Sequence, residues 1–356
     1  VIACPCALVL STPVTVVSAL TAAARRGILM KGGRALETAR TLRAIALDKT
    51  GTLTSGSPAL VHWESWPAEN QASADALAHT AWRLASASDH PVSRAIATGL
   101  GHTGAATGVQ DLQALPGRGV QALVDGQPWA LANLRWAREH GMDSPALLAQ
   151  LQAQEAQGRT VTLLADAHSV RALFAVADPL RPQAAEAVAQ LQALGVTPIV
   201  LSGDNQATVQ TIAAQAGIPD ARGGLLPQDK LDALAALQRE VGPVGMTGDG
   251  INDAPALAQS ELGFAMGGAH STGMAMETAD VVLMNDDLRR IPETLRLSRK
   301  AHGVLWQNIA LALGIKAAFF GLALAGMATM WMAVVADMGV SLLVVANGLR
   351  LRRWQG

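Results

Sequence analysis

Asp48, Ser202, Lys230, Asp249 and Asp253 are the residues with which this sequence could transfer a phosphoryl group. Converging carboxylates hold Mg²⁺, a hard ion that takes oxygen ligands and shares them with phosphate oxygens. A hydroxyl such as Ser202 and an ammonium such as Lys230 neutralise phosphoryl oxygens. A carboxylate in their company, Asp48, can attack phosphorus and carry an aspartyl phosphate. Any one of these acids alone also reads as a helix cap or turn former; their joint occurrence favours chemistry. A second set is soft. Cys4 and Cys6 flank Pro5, and two thiols beside a proline-opened helical turn suit a soft transition metal. The same pair also reads as buried cysteines flanking a kink. With one residue between them and no other cysteine in the chain, they do not form a disulfide framework.

The first set needs a scaffold that gathers distant residues. Residues 43–48 read as a short buried strand ending in Asp48, followed by the tight loop Lys49-Thr50-Gly51-Thr52. Residues 196–201 form a second apolar strand ending in Ser202-Gly203-Asp204, and residues 243–246 a third that runs into Thr247-Gly248-Asp249-Gly250-Ile251-Asn252-Asp253. Helical patterns lie between, over 182–194 and 229–239, the latter carrying Lys230. This alternation predicts an α/β, doubly wound sheet, which presents its chemistry at the carboxyl ends of its strands.

The second set needs a membrane. Hydrophobic residues make up 50% of the chain and charged residues 15%, with a mean hydropathy of +0.25. The net charge of −1 gives no global field toward nucleic acid. Residues 303–325 and 329–349 are apolar stretches of the ~20 residues that cross a bilayer as a helix, joined through Gly326-Met327-Ala328. Arg296, Arg299 and Lys300 precede the pair and Arg350, Arg352 and Arg353 follow it, so both outer ends face the cytoplasm. Each span holds one charge, Lys316 and Asp337, and at ~1.5 Å rise per residue both lie ~14–15 Å from the link, near mid-membrane. A charge there marks function by default, with a structural ion pair as the other reading. Residues 1–24 are apolar too and end at Arg25-Arg26. Without a charged leader or cleavage site they are no signal peptide, and the expectation is a membrane helix already under way at Val1, its N-terminal companions missing.

Residues 63–176 separate the first two core strands, too long a stretch for a connection, and are expected to fold as an inserted α+β domain. Its neighbours, 25–62 and 177–298, are then one domain. Within the insert, Ser88-Asp89-His90-Pro91 marks a helix start and Pro116-Gly117-Arg118-Gly119 a glycine turn; neither alone specifies a ligand.

The segments Asp48-Lys49-Thr50-Gly51-Thr52-Leu53-Thr54 and Thr247-Gly248-Asp249-Gly250-Ile251-Asn252-Asp253-Ala254-Pro255 resemble the two signature motifs of P-type ATPases, whose phosphorylation domain belongs to the haloacid dehalogenase superfamily. The resemblance covers the whole chain. It implies that Asp48 is phosphorylated, that Asp249 holds Mg²⁺ with Asp48 and the Thr50 carbonyl, that Ser202 and Lys230 contact the phosphoryl group, and that Asn252 and Asp253 complete the site. It implies that the insert binds ATP, with His90, Gly117, Gly119 and Asn133 around adenine and ribose. Many relatives carry an acid five positions before this histidine, where this chain has Ala85.

Cys-Pro-Cys ahead of the phosphorylation motif is similar to the heavy-metal branch. Counting from Gln307-Asn308 and from Asn347-Gly348, Lys316 and Asp337 replace the Asn and Met of copper(I) pumps. That pattern resembles the zinc, cadmium and lead exporters, and a carboxylate with two thiolates suits a divalent ion of borderline softness. The implied ligands are Cys4, Cys6 and Asp337, with Lys316 as charge partner. The implied setting is a multi-pass protein of a bacterial inner membrane, working with an actuator domain and earlier helices; no Thr-Gly-Glu loop occurs in this sequence. A copper(I) exporter is the alternative within the family, and a soluble phosphatase of the haloacid dehalogenase type the alternative outside it.

Overall fold

The computed structural model describes residues 6–67, 74–104, 106–268, 272–327 and 329–354. The chain forms two compact units, one of Val1–Asp48, Gln183–Ile199 and Pro227–Gly356, the other of Lys49–Pro182 and Val200–Leu226. The strands are β1 (Ile28–Met30), β2 (Ala44–Leu47), β3 (Ala59–Ser65), β4 (Val109–Leu115), β5 (Gly119–Val124), β6 (Gln127–Ala132), β7 (Thr160–Ala165), β8 (Val170–Ala177), β9 (Thr197–Leu201), β10 (Asp220–Arg222), β11 (Val244–Gly248), β12 (Leu262–Met266) and β13 (Val281–Leu283).

The first unit is built on the strand order β1-β13-β12-β11-β2-β9. β2, β11, β12 and β13 pair in parallel, and β1 closes the edge antiparallel to β13. Every residue of β2 is buried, as is every residue of β11 and β12. Those strands are continuous apolar runs, the pattern of a parallel sheet covered on both faces. Helices Ala184–Ala193 and Pro227–Val241 fall where the sequence places them, the second starting two residues earlier than the polar pattern implies.

The same unit holds three apolar helices, Cys6–Arg25, Arg290–Leu324 and Met330–Leu349. The last two are long and apolar enough to cross a membrane. Arg290–Leu324 runs 35 residues and continues well outside the apolar span. It ends against Gly326 at φ 72°, a left-handed turn that suits glycine, and Thr329 caps the next helix by accepting from the Met332 amide. The three helices meet at a polar knot. Buried Asn308 donates to the Val344 carbonyl at 3.2 Å and to Thr15 Oγ1 at 3.4 Å, while Asn347 Nδ2 donates to Asn308 Oδ1 at 2.7 Å. One turn along, Gly348 lets the first helix approach closely, since a Cβ there would lie 2.8 Å from Thr15 Oγ1. Small residues and amide hydrogen bonds are how apolar helices associate where water supplies no driving force.

The second unit is an antiparallel sheet in the order β3-β8-β7-β6-β5-β4, with β10 beside the end of β9. Alternate side chains feed two cores. On one face Val120, Leu131, Leu164 and Phe174 pack on helices Ala74–Ser86 and Pro91–Leu100; on the other Ala130, Leu163 and Leu173 pack on Trp136, Leu147 and Leu151. This period-two division makes both faces of one short sheet apolar. The sheet spans the inserted segment and begins at Ala59.

Candidate functional site

In the first unit β2 and β11 run side by side with Leu47 opposite Thr247, so Asp48 and Gly248-Asp249 leave the sheet together at its carboxyl end. The Asp48 amide donates to the Thr247 carbonyl at 2.9 Å. From helix Pro227–Val241, Lys230 Nζ donates to Asp48 Oδ1 at 2.6 Å and to Asp253 Oδ1 at 2.9 Å. All three side chains are buried. Asp253 closes a 3-10 turn, Ile251–Asp253, and presses on the strand end so closely that a Cβ on Gly248 would sit 2.6 Å from the Asp253 Cβ. Glycine at 248 is therefore a steric requirement of the site. Asn252, in the same turn, is exposed.

Asp48, Asp249 and Asp253 each offer an oxygen within 4.8 Å of the others. Three hard oxygen donors around one point fit Mg²⁺. Burial, reinforced by the Asp253 charge, pushes the Asp48 carboxyl up to about 7 against the pull of Lys230. Burial works against the Lys230 charge, yet the two carboxylates prevail and hold it above its ordinary value. The chemical capacity is that of a buried, adjustable carboxylate with a fixed cation and oxygen donors beside it.

Thr50 and Ser202 belong to the second unit. Residues Lys49–Leu53 make a π-type turn in which Gly51 takes φ 71°. Lys49 is buried and ion-paired with Asp204, which also accepts from Thr50 Oγ1 at 3.5 Å. Ser202 is buried, and its hydroxyl accepts from the Asp204 amide at 3.2 Å. Arg181 donates to the Gly51 and Thr52 carbonyls at 2.8 and 2.9 Å, and Asp178 accepts from Thr54 and Ser55. Sequence reasoning left Lys49, Asp178, Arg181 and Asp204 out of the site. Two of them had a signal: Lys49 follows Asp48 directly in the quoted motif, and Asp204 stands two residues after Ser202.

Gly117, Gly119 and Asn133 come together. Asn133 Nδ2 donates to the Gly117 carbonyl at 2.9 Å, and its Oδ1 accepts from the Trp136 amide, capping helix Leu134–Glu139. Gly119, at φ 136°, faces the Leu131 carbonyl where a Cβ would be 2.3 Å away. His90 caps helix Pro91–Leu100 by accepting from the Val92 amide at 3.3 Å, and no hydrogen bond joins it to that trio among the described residues. Partial desolvation holds its imidazole below the usual value, with the Asp204 charge pulling it back up. Ala85 is fully buried in the apolar cluster under that helix, and its methyl side chain offers no polar group.

In the apolar helices Lys316 Nζ lies 3.5 Å from Asp337 Oδ1, and among the described residues neither atom has a hydrogen-bond partner. Ile315, Phe319, Ala333, Ala336 and Val340 enclose the pair. Cys4 lies outside the described residues, and Cys6 begins helix Cys6–Arg25.

Residues 42–261 match the sequence family described as haloacid dehalogenase-like hydrolase. The chain belongs to that family. It is 41% identical over 360 residues to a probable cadmium-transporting ATPase of Alkalihalophilus pseudofirmus, covering 99% of this chain and 49% of the relative. It is 40% identical over 355 residues to the zinc/cadmium/lead-transporting P-type ATPase of Escherichia coli, covering 99% of this chain and 47% of that one. A crystal structure of a zinc-transporting PIB-type ATPase in the E2.Pi state superposes with a TM-score of 0.79 at 38% identity, over 99% of this chain and 57% of that protein. This haloacid dehalogenase-like chain spans about half the length of the curated relatives it matches. Its architecture is the haloacid dehalogenase-like fold with an inserted antiparallel domain and long apolar helices.

Proposed function

We infer that the chain is the phosphorylating and ion-conducting part of an ATP-driven exporter of Zn²⁺, Cd²⁺ or Pb²⁺, a multi-pass protein of a bacterial inner membrane. One observation carries the reading: Asp48 bonded to Lys230, with Asp249 and Asp253 at hand, where two parallel strands end together. Asp48 attacks the γ-phosphorus of ATP. A bond forms between its carboxylate oxygen and phosphorus, the bond to the β-phosphate oxygen breaks, and ADP departs. Lys230 and Ser202 hold the oxygens of the transferred group, and Asn252 and Asp253 complete the site. Mg²⁺, held by Asp48, Asp249 and the Thr50 carbonyl, neutralises phosphate charge when bound. The phosphorylation domain comprises 25–62 and 177–298. The insert, 63–176, is the nucleotide-binding domain, with His90, Gly117, Gly119 and Asn133 at adenine and ribose.

Cys4, Cys6 and Asp337 are the ligands of the transported ion. Lys316 neutralises Asp337 in the empty site and repels the ion at release. Two thiolates with one carboxylate favour a divalent borderline or soft ion, in keeping with the ions named for the Escherichia coli relative. The remaining half of the pump, with its actuator domain, is the partner that hydrolyses the aspartyl phosphate. ATPase activity of the intact pump against a metal panel tests this reading. Zn²⁺, Cd²⁺ and Pb²⁺ should stimulate it and Asp337→Ala should abolish the stimulation. Full stimulation in the variant removes Asp337 as a ligand, and stimulation by Cu(I) alone selects the copper alternative.

A further inference from the structure

After helix Met330–Leu349 the chain makes one 3-10 turn, Arg350–Arg353. Arg350, Arg352 and Arg353 join Arg25, the last residue of helix Cys6–Arg25, around a cavity of about 580 Å³ whose remaining lining is Ala346 and Leu349. Leu351 is buried beneath the turn while the arginines on either side are exposed. None of the four pairs with a carboxylate among the described residues; Arg350 donates once, to Gln307 Oε1 at 2.6 Å. Their neighbours are otherwise engaged. Arg26 binds both oxygens of Glu293, at 2.9 and 2.7 Å, and lies over the Trp354 ring, and Arg289 and Arg290 are paired with Asp287 and Glu293. In a chain of net charge −1, uncompensated positive charge is thus concentrated at one cavity.

We propose that this cavity binds the phosphate of an anionic phospholipid headgroup. Guanidinium groups recognise phosphate through paired hydrogen bonds, and basic pockets between membrane helices take anionic headgroups. A lipid fits better than a free phosphate because the floor is apolar. Below Ala346 and Leu349 the same helix exposes Leu342 at 72% and Leu343 at 54%, a surface for an acyl chain under the phosphate. Arg25 and Arg350 come from different helices, so one bound phosphate ties the first apolar helix to the last, beyond the close contact of Gly348 with Thr15. The proposal rests on the reading that these helices cross a membrane.

The test uses the full chain purified in neutral detergent, titrated with phosphatidylglycerol, phosphatidylcholine or inorganic phosphate. Lipid retention is read by native mass spectrometry and melting temperature in parallel. Phosphatidylglycerol should remain bound and raise the melting temperature, whereas phosphatidylcholine and inorganic phosphate should do neither. Each arginine removed should weaken binding roughly fivefold, so Arg25→Gln/Arg352→Gln/Arg353→Gln should lose about a hundredfold. Should that variant not fold, Arg352→Gln alone should still show the fivefold loss. Equal binding of phosphatidylcholine, equal protection by inorganic phosphate, or unchanged affinity in a folded variant overturns the proposal. Failure of the chain to fractionate with membranes would instead remove the membrane reading beneath it.

Discussion

Replacing Lys230 with Met leaves Asp48 and Asp253 buried without the cation that bridges them at 2.6 and 2.9 Å. Breaking a buried ion pair from one side costs ~3–5 kcal/mol, because the remaining charge stays desolvated. For a unit of this size that is a fall in melting temperature of roughly 6–20 °C. The pH dependence follows from Asp48, whose carboxyl is already pushed up to about 7 by burial and by Asp253. Its unfolded value is ~3.9, so between those values the native state holds a proton that the unfolded chain has released. Ionised Asp48 therefore weighs against the fold above pH 7, and that burden fades as pH falls. Loss of Lys230 raises Asp48 further, so the variant should be most damaged near pH 8 and least near pH 5. Mg²⁺ should raise the melting temperature of the variant more than that of the wild type, since it restores positive charge among the carboxylates. The measurement is a pair of melting curves at each pH, with and without Mg²⁺. A loss below about 2 °C at pH 8, less than ~1 kcal/mol by the same scaling, or a loss as large at pH 5, would refute the account of the triad.

Gly248→Ala should abolish phosphorylation by ATP, because its Cβ would sit 2.6 Å from that of Asp253; labelling with γ-labelled ATP reads this directly. Gly119→Ala forces a side chain into a left-handed conformation against the Leu131 carbonyl, and should lower stability by ~1–3 kcal/mol by thermal melting. Asn308→Leu removes the amide that links Thr15, Val344 and Asn347. It should cost ~1 kcal/mol in detergent, seen as a small fall in melting temperature.

The parallel sheet was legible because its strands are short apolar runs that end in the candidate site residues. β2, β9 and β11 end at Leu47, Leu201 and Gly248, close to the ends expected from the pattern. Parallel neighbours with buried faces leave little choice of register. Less legible were residues whose partners come from distant segments. Lys49 reads as a loop residue until its turn buries it against Asp204, 155 positions on. Arg181 reads as a charge after a proline until it bonds the carbonyls of Gly51 and Thr52. The charges between Arg290 and His302 disguise a helix that runs unbroken into the apolar span. The arginine cavity was half visible, since Arg350, Arg352 and Arg353 mark a cytoplasmic end by sequence alone, whereas Arg25 joins them only through helix packing.

The central claim is that Asp48 accepts the phosphoryl group of ATP. Incubating the intact pump that contains this chain with γ-labelled ATP and Mg²⁺, quenching in acid and treating with hydroxylamine tests it most directly. The account predicts an acid-stable, hydroxylamine-sensitive label that is absent from Asp48→Asn. An equal label on Asp48→Asn, or no label on the wild type within its intact pump, would contradict it.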